Sequence, residues 1–203
     1  TPLYSSAASD VYKRQVAVAE FLKNNETNQV HQQPKKHVIS RPILPSGPMK
    51  AWAIDLTWLK TLSDDHVQTL EKDSQVVLTV IDMFTKFAWA KVLPNKTAKV
   101  VAAAFKEIIV SNGSAPSTLR SDNEFIAEEF KKVCSANSIE QLFSDTYSPQ
   151  QNAVIEQFNK TIKMMVYKYQ TQYNMPKITN NDLQKIISNY NNCKHGTTEM
   201  IPS

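Results

Sequence analysis

The sequence predicts an α/β protein built on a five-stranded mixed sheet flanked by helices. Three strand-like runs come first: WAIDLTWL and KFAWAKVL alternate apolar and polar residues, and QVVLTVIDMF between them is almost continuously β-branched and apolar, as a central strand should be. After them the short runs STLRSD and IEQLF are separated by a helical pattern and the chain ends in helices. That order lays helices on both faces of one sheet.

Each element carries its own signal. KTLSDDHVQTLEKDS, between the first two strands, is a polar excursion longer than a tight hairpin needs. Thr97 is placed to cap a helix whose Val100, Val101, Ala104, Phe105, Ile108 and Ile109 recur at helical spacing, and NGSAP ends it. EFIAEEFKKVCSAN reads as a second amphipathic helix. SDTYSPQQNA is a loop, followed by a long helix from about Val154 to Tyr173. NDLQKIISNYNNC is the last helix, with Thr179 or Asn180 as its cap.

Composition narrows the class. A chain of 203 residues, 41% hydrophobic and 21% charged, supports one domain with a real core and argues against a disordered or fibrous protein. No apolar run approaches the roughly 18 residues of a membrane span and no cleavable leader is visible, so a soluble, intracellular protein without a membrane partner is expected. The two cysteines, Cys134 and Cys193, lie far apart, which indicates neither a disulfide framework nor a zinc site. The net charge of +4 permits a nucleic-acid partner without requiring one.

Residues 1–15, TPLYSSAASDVYKRQ, resemble the translation of a transposase-based sequencing adaptor and are set aside as an artefact. Without Asp10, Lys13 and Arg14 the net charge falls from +4 to +3. Residues 16–49 read as a helical remnant, VAVAEFLKNN, and a Pro-rich linker with a basic centre. His31 and His37 fall in that linker without a partnering Cys pair, as linker residues rather than zinc ligands. The domain proper spans residues 50–203.

The carboxylates suggest chemistry. Two-metal phosphoryl transfer needs a few carboxylates converging on cations roughly 3.5 to 4 Å apart. Asp55 stands in the middle of an apolar strand, where an uncoordinated carboxylate is costly. Asp122 ends a strand and Glu156 opens the long helix straight after a loop, positions that meet at one edge of a mixed sheet. Other acids take plainer readings: Asp82 as a hydrogen-bonding residue of the sheet, Asp64, Asp65 and Asp73 as surface residues, Asp145 and Glu124 as near the cleft in sequence only. Trp52, Trp58 and Trp89 read as core or edge packing rather than as base-stacking platforms.

WAIDLTW, VIDMFTKFAWAKVL, LRSDNEF with Phe130 beyond it, and YSPQQNAVIEQFNKTIK, in this order, resemble the catalytic core of retroviral and retrotransposon integrases. TVIDMFTKFAWAKVLPNKTA and QVHQQPKK are most similar to the integrases of Maverick or Polinton elements. The resemblance implies a ribonuclease-H-like fold for residues 50–203, a core truncated at its C-terminus. It also implies a D,D,E triad of Asp55, Asp122 and Glu156 as catalytic and metal-binding residues, holding two Mg²⁺ or Mn²⁺ ions. The implied activity is trimming of the 3′ ends of a mobile element, followed by attack of the freed 3′-hydroxyls on host DNA. With it come DNA as partner, a homodimer or higher oligomer, and the nucleus of a eukaryotic host. Lys160 and Lys163, on one helix face with Glu156, together with Tyr147, Gln151 and Asn152 in the preceding loop, would contact the DNA end. By their spacing alone the two lysines read as a solvated helix face, and it is their place beside Glu156 that turns them toward DNA.

The departures from the family pattern define the rival reading. Thirty-three residues separate Asp122 from Glu156, where the family usually has thirty-five, and the gap falls after Asn123, where a glycine is expected. Asn123 is therefore expected to carry the sharp turn from strand to helix alone, at the expense of a shortened first turn of the helix rather than a moved Asp122. Ala153 stands for a glycine and Gln157 for an arginine. A degenerate or domesticated integrase domain that binds DNA without catalysis is the alternative.

Overall fold

The computed structural model describes residue 16 and residues 45–61, 74–143 and 152–202. The chain divides into two units, residues 1–41 and 42–203, and every element below belongs to the second. The remnant helix and most of the linker lie outside the described residues apart from Val16, which is helical.

Five strands form one sheet. β1 (Ala51–Leu59), β2 (Gln75–Asp82) and β3 (Ala88–Leu93) pair antiparallel, while β4 (Thr118–Ser121) and β5 (Glu140–Phe143) add in parallel on the other side of β1, in the order β3-β2-β1-β4-β5. The expected mixed sheet is therefore present, with β1 at its centre. Among the described residues four helices flank it: α1 (Ala98–Asn112), α2 (Glu128–Ala136), α3 (Ala153–Tyr173) and α4 (Asn180–Asn192).

Alternation along the strands makes two cores. Trp52, Ile54, Leu78, Val80 and Leu119 pack with α1 and α2 through Phe105, Ile108 and Phe130. Ala53, Leu59, Val77 and Ile81 pack on the other face with α3 and α4 through Ile155, Phe158, Ile162, Val166 and Leu183. Ile155, Phe158, Ile162, Met165, Val166 and Tyr169, the apolar stripe that helical spacing predicts along α3, thus face this chain's own core. Trp52 and Trp89 meet with ring centroids 4.4 Å apart, but Trp58 is exposed, against the packing role expected for it.

α4 lies along β3, the strand at the sheet edge. The side chains of Asn180, Gln184 and Asn191 hydrogen-bond the outward backbone groups of Val92, Ala90 and Ala88, so the edge ladder continues into side-chain amides. Thr179 caps α4 as expected, its hydroxyl accepting from the Asp182 amide at 3.2 Å. Thr97 occupies the cap position of α1 without capping, because its hydroxyl donates to Asn95 instead. Asp82, buried at the end of β2, accepts from the amide and hydroxyl of Thr85 and closes the β2–β3 turn.

Candidate active site

The parity of β1 places Asp55. Ala53 and Leu59 face the α3 and α4 core, so Asp55, two residues from Ala53, faces the same way. α3 crosses there, and its buried Asn159 donates Nδ2–H to Asp55 Oδ2 at 2.6 Å. Thr79 stands directly across the β1–β2 ladder from Asp55. Its hydroxyl oxygen lies 2.8 Å from Asn159 Oδ1 and 3.2 Å from the Asp55 carbonyl, two acceptors that share its one proton. The Leu56 amide donates to the other carboxylate oxygen, Oδ1, at 2.8 Å. Asp55 is thus oriented from both its own strand and α3.

The parallel pairing of β1 and β4 places Asp122. Ala53 sits opposite Arg120, and the same offset carried two residues further sets Asp55 opposite Asp122. Asp122 ends the strand in extended geometry and N-caps a short 3-10 turn, Asn123–Phe125, its Oδ1 facing the Glu124 amide at 3.5 Å. Asn123 is not left-handed. The non-glycine residues of positive φ among the described residues are Met49, Lys86, Ser138, Asn174 and Glu199, so Asn123 makes the turn without one. A 3-10 turn reverses the chain with right-handed backbone at every residue, so the missing glycine is not replaced but bypassed. The cost falls on the following helix, which starts at Glu128 rather than at Glu124.

The electrostatics join these groups. Burial above all, then the charges of Asp122 and Glu124, push the Asp55 carboxyl up to about 6, against the Leu56 amide and the Asn159 donor, which favour its charged form. Glu124, expected near the cleft in sequence only, is therefore close enough in space to act on Asp55. The 3-10 turn folds it back toward the strand ends. Asp82 is remote from this group: it pairs with Trp52, three residues along β1 from Asp55, and Trp52 belongs to the opposite core.

Glu156 lies exposed in the first turn of α3, one turn before Asn159, and is not among the charges that shift Asp55. Among the described residues no three His, Cys, Asp or Glu side chains are grouped closely enough to hold a metal ion. The donor chemistry nevertheless suits one: Asp55 and Asp122 offer hard carboxylate oxygens, neither is ion-paired with a described residue, and a divalent cation would relieve the repulsion that raises Asp55. Lys160 and Lys163 continue along α3 from Glu156, with Met164, Tyr167 and Lys168 beside them. Asn152 immediately precedes α3, while Tyr147 and Gln151, like Asp64, Asp65, Asp73 and Asp145, lie outside the described residues.

Sequence reasoning missed Asn159 and Thr79. Both left a trace: Thr79 is the one polar residue inside VVLTVI, and Asn159 follows Glu156 by three residues, hence on its face of the helix. What the sequence could not supply was their meeting at Asp55.

Comparison with known proteins bears on the same region. The integrase core domain family matches residues 45–149, just over half of the chain. A transposon-derived protein of Caenorhabditis elegans is 30% identical over 122 residues, 57% of this chain and 40% of that protein. The Gag-Pol polyprotein of avian reticuloendotheliosis virus is 25% identical over 166 residues, 80% of this chain. The chain spans less than half the length of the curated relatives it matches, 13% in the viral case. Among solved structures, the HTLV-2 integrase catalytic core in complex with magnesium superposes with a TM-score of 0.60 at 20% identity, covering 80% of this chain and 97% of that one. The BIV integrase catalytic core gives a TM-score of 0.59 at 20% identity, over 76% and 91% of the two chains. These likenesses establish the ribonuclease-H-like fold of the sheet and helices described above. With a family match over residues 45–149 that includes both Asp55 and Asp122, the chain belongs to the integrase core domain family.

Proposed function

We propose that this domain is a DNA integrase core that carries out metal-dependent 3′-end processing and strand transfer of mobile-element DNA into host DNA, in the nucleus of a eukaryotic host. The observation that carries the reading is Asp55: a carboxylate raised to about 6 by burial and by its acidic neighbours, yet oriented by Asn159 and the Leu56 amide. Carboxylates perturbed by burial together with a specific charged neighbour cluster at functional sites. Asp55, Asp122 and Glu156 would hold Mg²⁺ or Mn²⁺, two ions in all, and the magnesium named in the HTLV-2 core complex supports that choice. When bound, the ions supply Lewis-acid stabilisation of the charge on the attacking and leaving oxygens of an in-line displacement.

The chain's own residues would do the rest. Thr79 fixes the Asn159 amide, and Asn159 fixes Asp55, so the carboxylate is oriented in advance and need not reorganise to act as a ligand. Lys160 and Lys163, with Asn152, Gln151 and Tyr147 from the preceding loop, would hold the phosphates of the element end. A homodimer or larger assembly would bring two ends to one target, a reading supported by the dimeric and trimeric forms of the HTLV-2 core and by the intasome of simian T-cell lymphotropic virus.

Two observations favour a second reading, the domain that binds DNA without cutting it. Glu156 stands outside the group formed by Asp55, Asp122 and Glu124, and the turn after Asp122 is two residues short. Strand transfer on oligonucleotides with Mg²⁺ or Mn²⁺ separates the two. We expect joined product from the parent chain, none from Asp55→Asn, and more from a chain with Gly-Ser inserted after Asn123. No product from either the parent or the insertion chain would leave only the binding role.

A further inference from the structure

The other face of β1 carries a cavity beside these carboxylates. Leu56, next to Asp55 and pointing oppositely, forms with Val101, Phe125 and Phe130 the apolar floor of a space of about 310 Å³, with Lys96 and Glu124 at its polar edge. That size lies at the lower end of the roughly 300–1,000 Å³ of small-ligand pockets. Trp58, two residues beyond Leu56 on the same face of the strand, is 45% exposed although Trp52 in the same strand is buried. The Lys96 ammonium lies 5.8 Å from the centre of the Trp58 ring, so Lys96 belongs to both the cavity and the exposed indole. Glu124 in turn is, with Asp122, one of the two residues whose charge reaches Asp55. The cavity, the indole and the candidate active site are therefore neighbours.

We propose that the cavity and Trp58 together bind one unpaired nucleobase of the DNA strand adjoining the reacting phosphate. The inference rests on the reading of DNA as substrate and names a site within it. A phosphodiester chain satisfies each part of the surface at once: aromatic rings give a stacking face for a base, the Lys96 ammonium neutralises the adjoining phosphate, and the apolar floor takes the ring out of water. The Glu124 carboxylate only accepts hydrogen bonds, so it favours cytosine, whose amino group offers two N–H donors, over thymine, whose single N3–H lies between two carbonyl oxygens that repel a carboxylate.

The test titrates the full chain, in chelator so that nothing is cut, with duplexes that differ only in a short single-stranded overhang carrying 2-aminopurine. Anisotropy reads affinity and 2-aminopurine emission reads stacking. We expect the overhang duplex to bind about 10-fold tighter than its blunt counterpart, consistent with about 1.4 kcal/mol from stacking one base, and its emission to be quenched. Trp58→Ala should remove both effects, Trp58→Phe should retain part of them, and Glu124→Gln should even out binding of cytosine and thymine overhangs. Equal binding of overhang and blunt ends, or a preference and quench that survive Trp58→Ala, would overturn the proposal. The catalytic reading fails separately. A chain that never transfers strands yet shows Trp58-dependent quenching keeps the pocket and loses the enzyme.

Discussion

Asp55 is raised from an ordinary carboxyl value of 3.8 to about 6. The folded protein therefore keeps this proton at pH values where the unfolded chain has lost it. Its stabilising contribution is complete below about pH 4 and is lost as the pH rises through about 6. An asparagine at this position has no proton to lose. In chelator, Asp55→Asn should match the parent at pH 4 and exceed it by about 3 kcal/mol at pH 7.5, on roughly 1.4 kcal/mol per pKa unit; parallel urea-unfolding profiles would show that Asp55 is not desolvated as described. Asn159 acts on the same group from the helix side. Asn159→Ala removes a donor that favours the charged carboxylate, so the pH-linked loss of stability should extend to higher pH than in the parent. Strand transfer should fall by more than about tenfold with DNA affinity unchanged, because a loosened carboxylate costs rate, not binding. Unfolding profiles and transfer rates measured together check this, and a variant that transfers normally would remove Asn159 from the site.

At the scale of elements, the contact of α4 with β3 shows what sequence can and cannot convey. Strand and helix positions were legible because burial on one face writes a period of two or 3.6 into the residues. The strands WAIDLTWL and KFAWAKVL and the stripe of α3 appear where that period puts them. The link from Asn191 to Ala88 was not legible, since it joins residues 103 apart through an amide that follows no apolar period. The same holds for Asn159 and Asp55, 104 apart, and for the 3-10 turn at Asn123, where sequence gave the missing glycine but not the geometry replacing it. Asn191 is buried and bonds both the amide and the carbonyl of Ala88. Asn191→Ala leaves two edge groups unpaired beneath the helix, at about 1–3 kcal/mol. We expect lower stability in urea and, by size-exclusion chromatography at rising concentration, association through the uncovered edge; a variant as stable as the parent would mean that water serves the edge equally well.

For the whole molecule, the net charge of +4 is too small to direct DNA binding, and the distribution of charge matters more. α3 carries Lys160, Lys163 and Lys168 on the surface that leads away from Glu156, and among the described residues none of the three is ion-paired. From Lys160 to Lys168 the helix rises about 12 Å at roughly 1.5 Å per residue, enough to follow several charges of a duplex that carries one per roughly 1.7 Å of axis. Each lysine that neutralises a phosphate adds about 0.9 to the slope of log affinity against log salt. Changing Lys160 and Lys163 together to alanine should lower that slope by about 2 and weaken binding equally for DNA of any sequence, while Asp55→Asn leaves the slope as it was. Anisotropy titrations across a range of KCl concentrations measure it. An unchanged slope would place the DNA off α3 altogether and would separate the long helix, despite its position beside Glu156, from the path of the substrate.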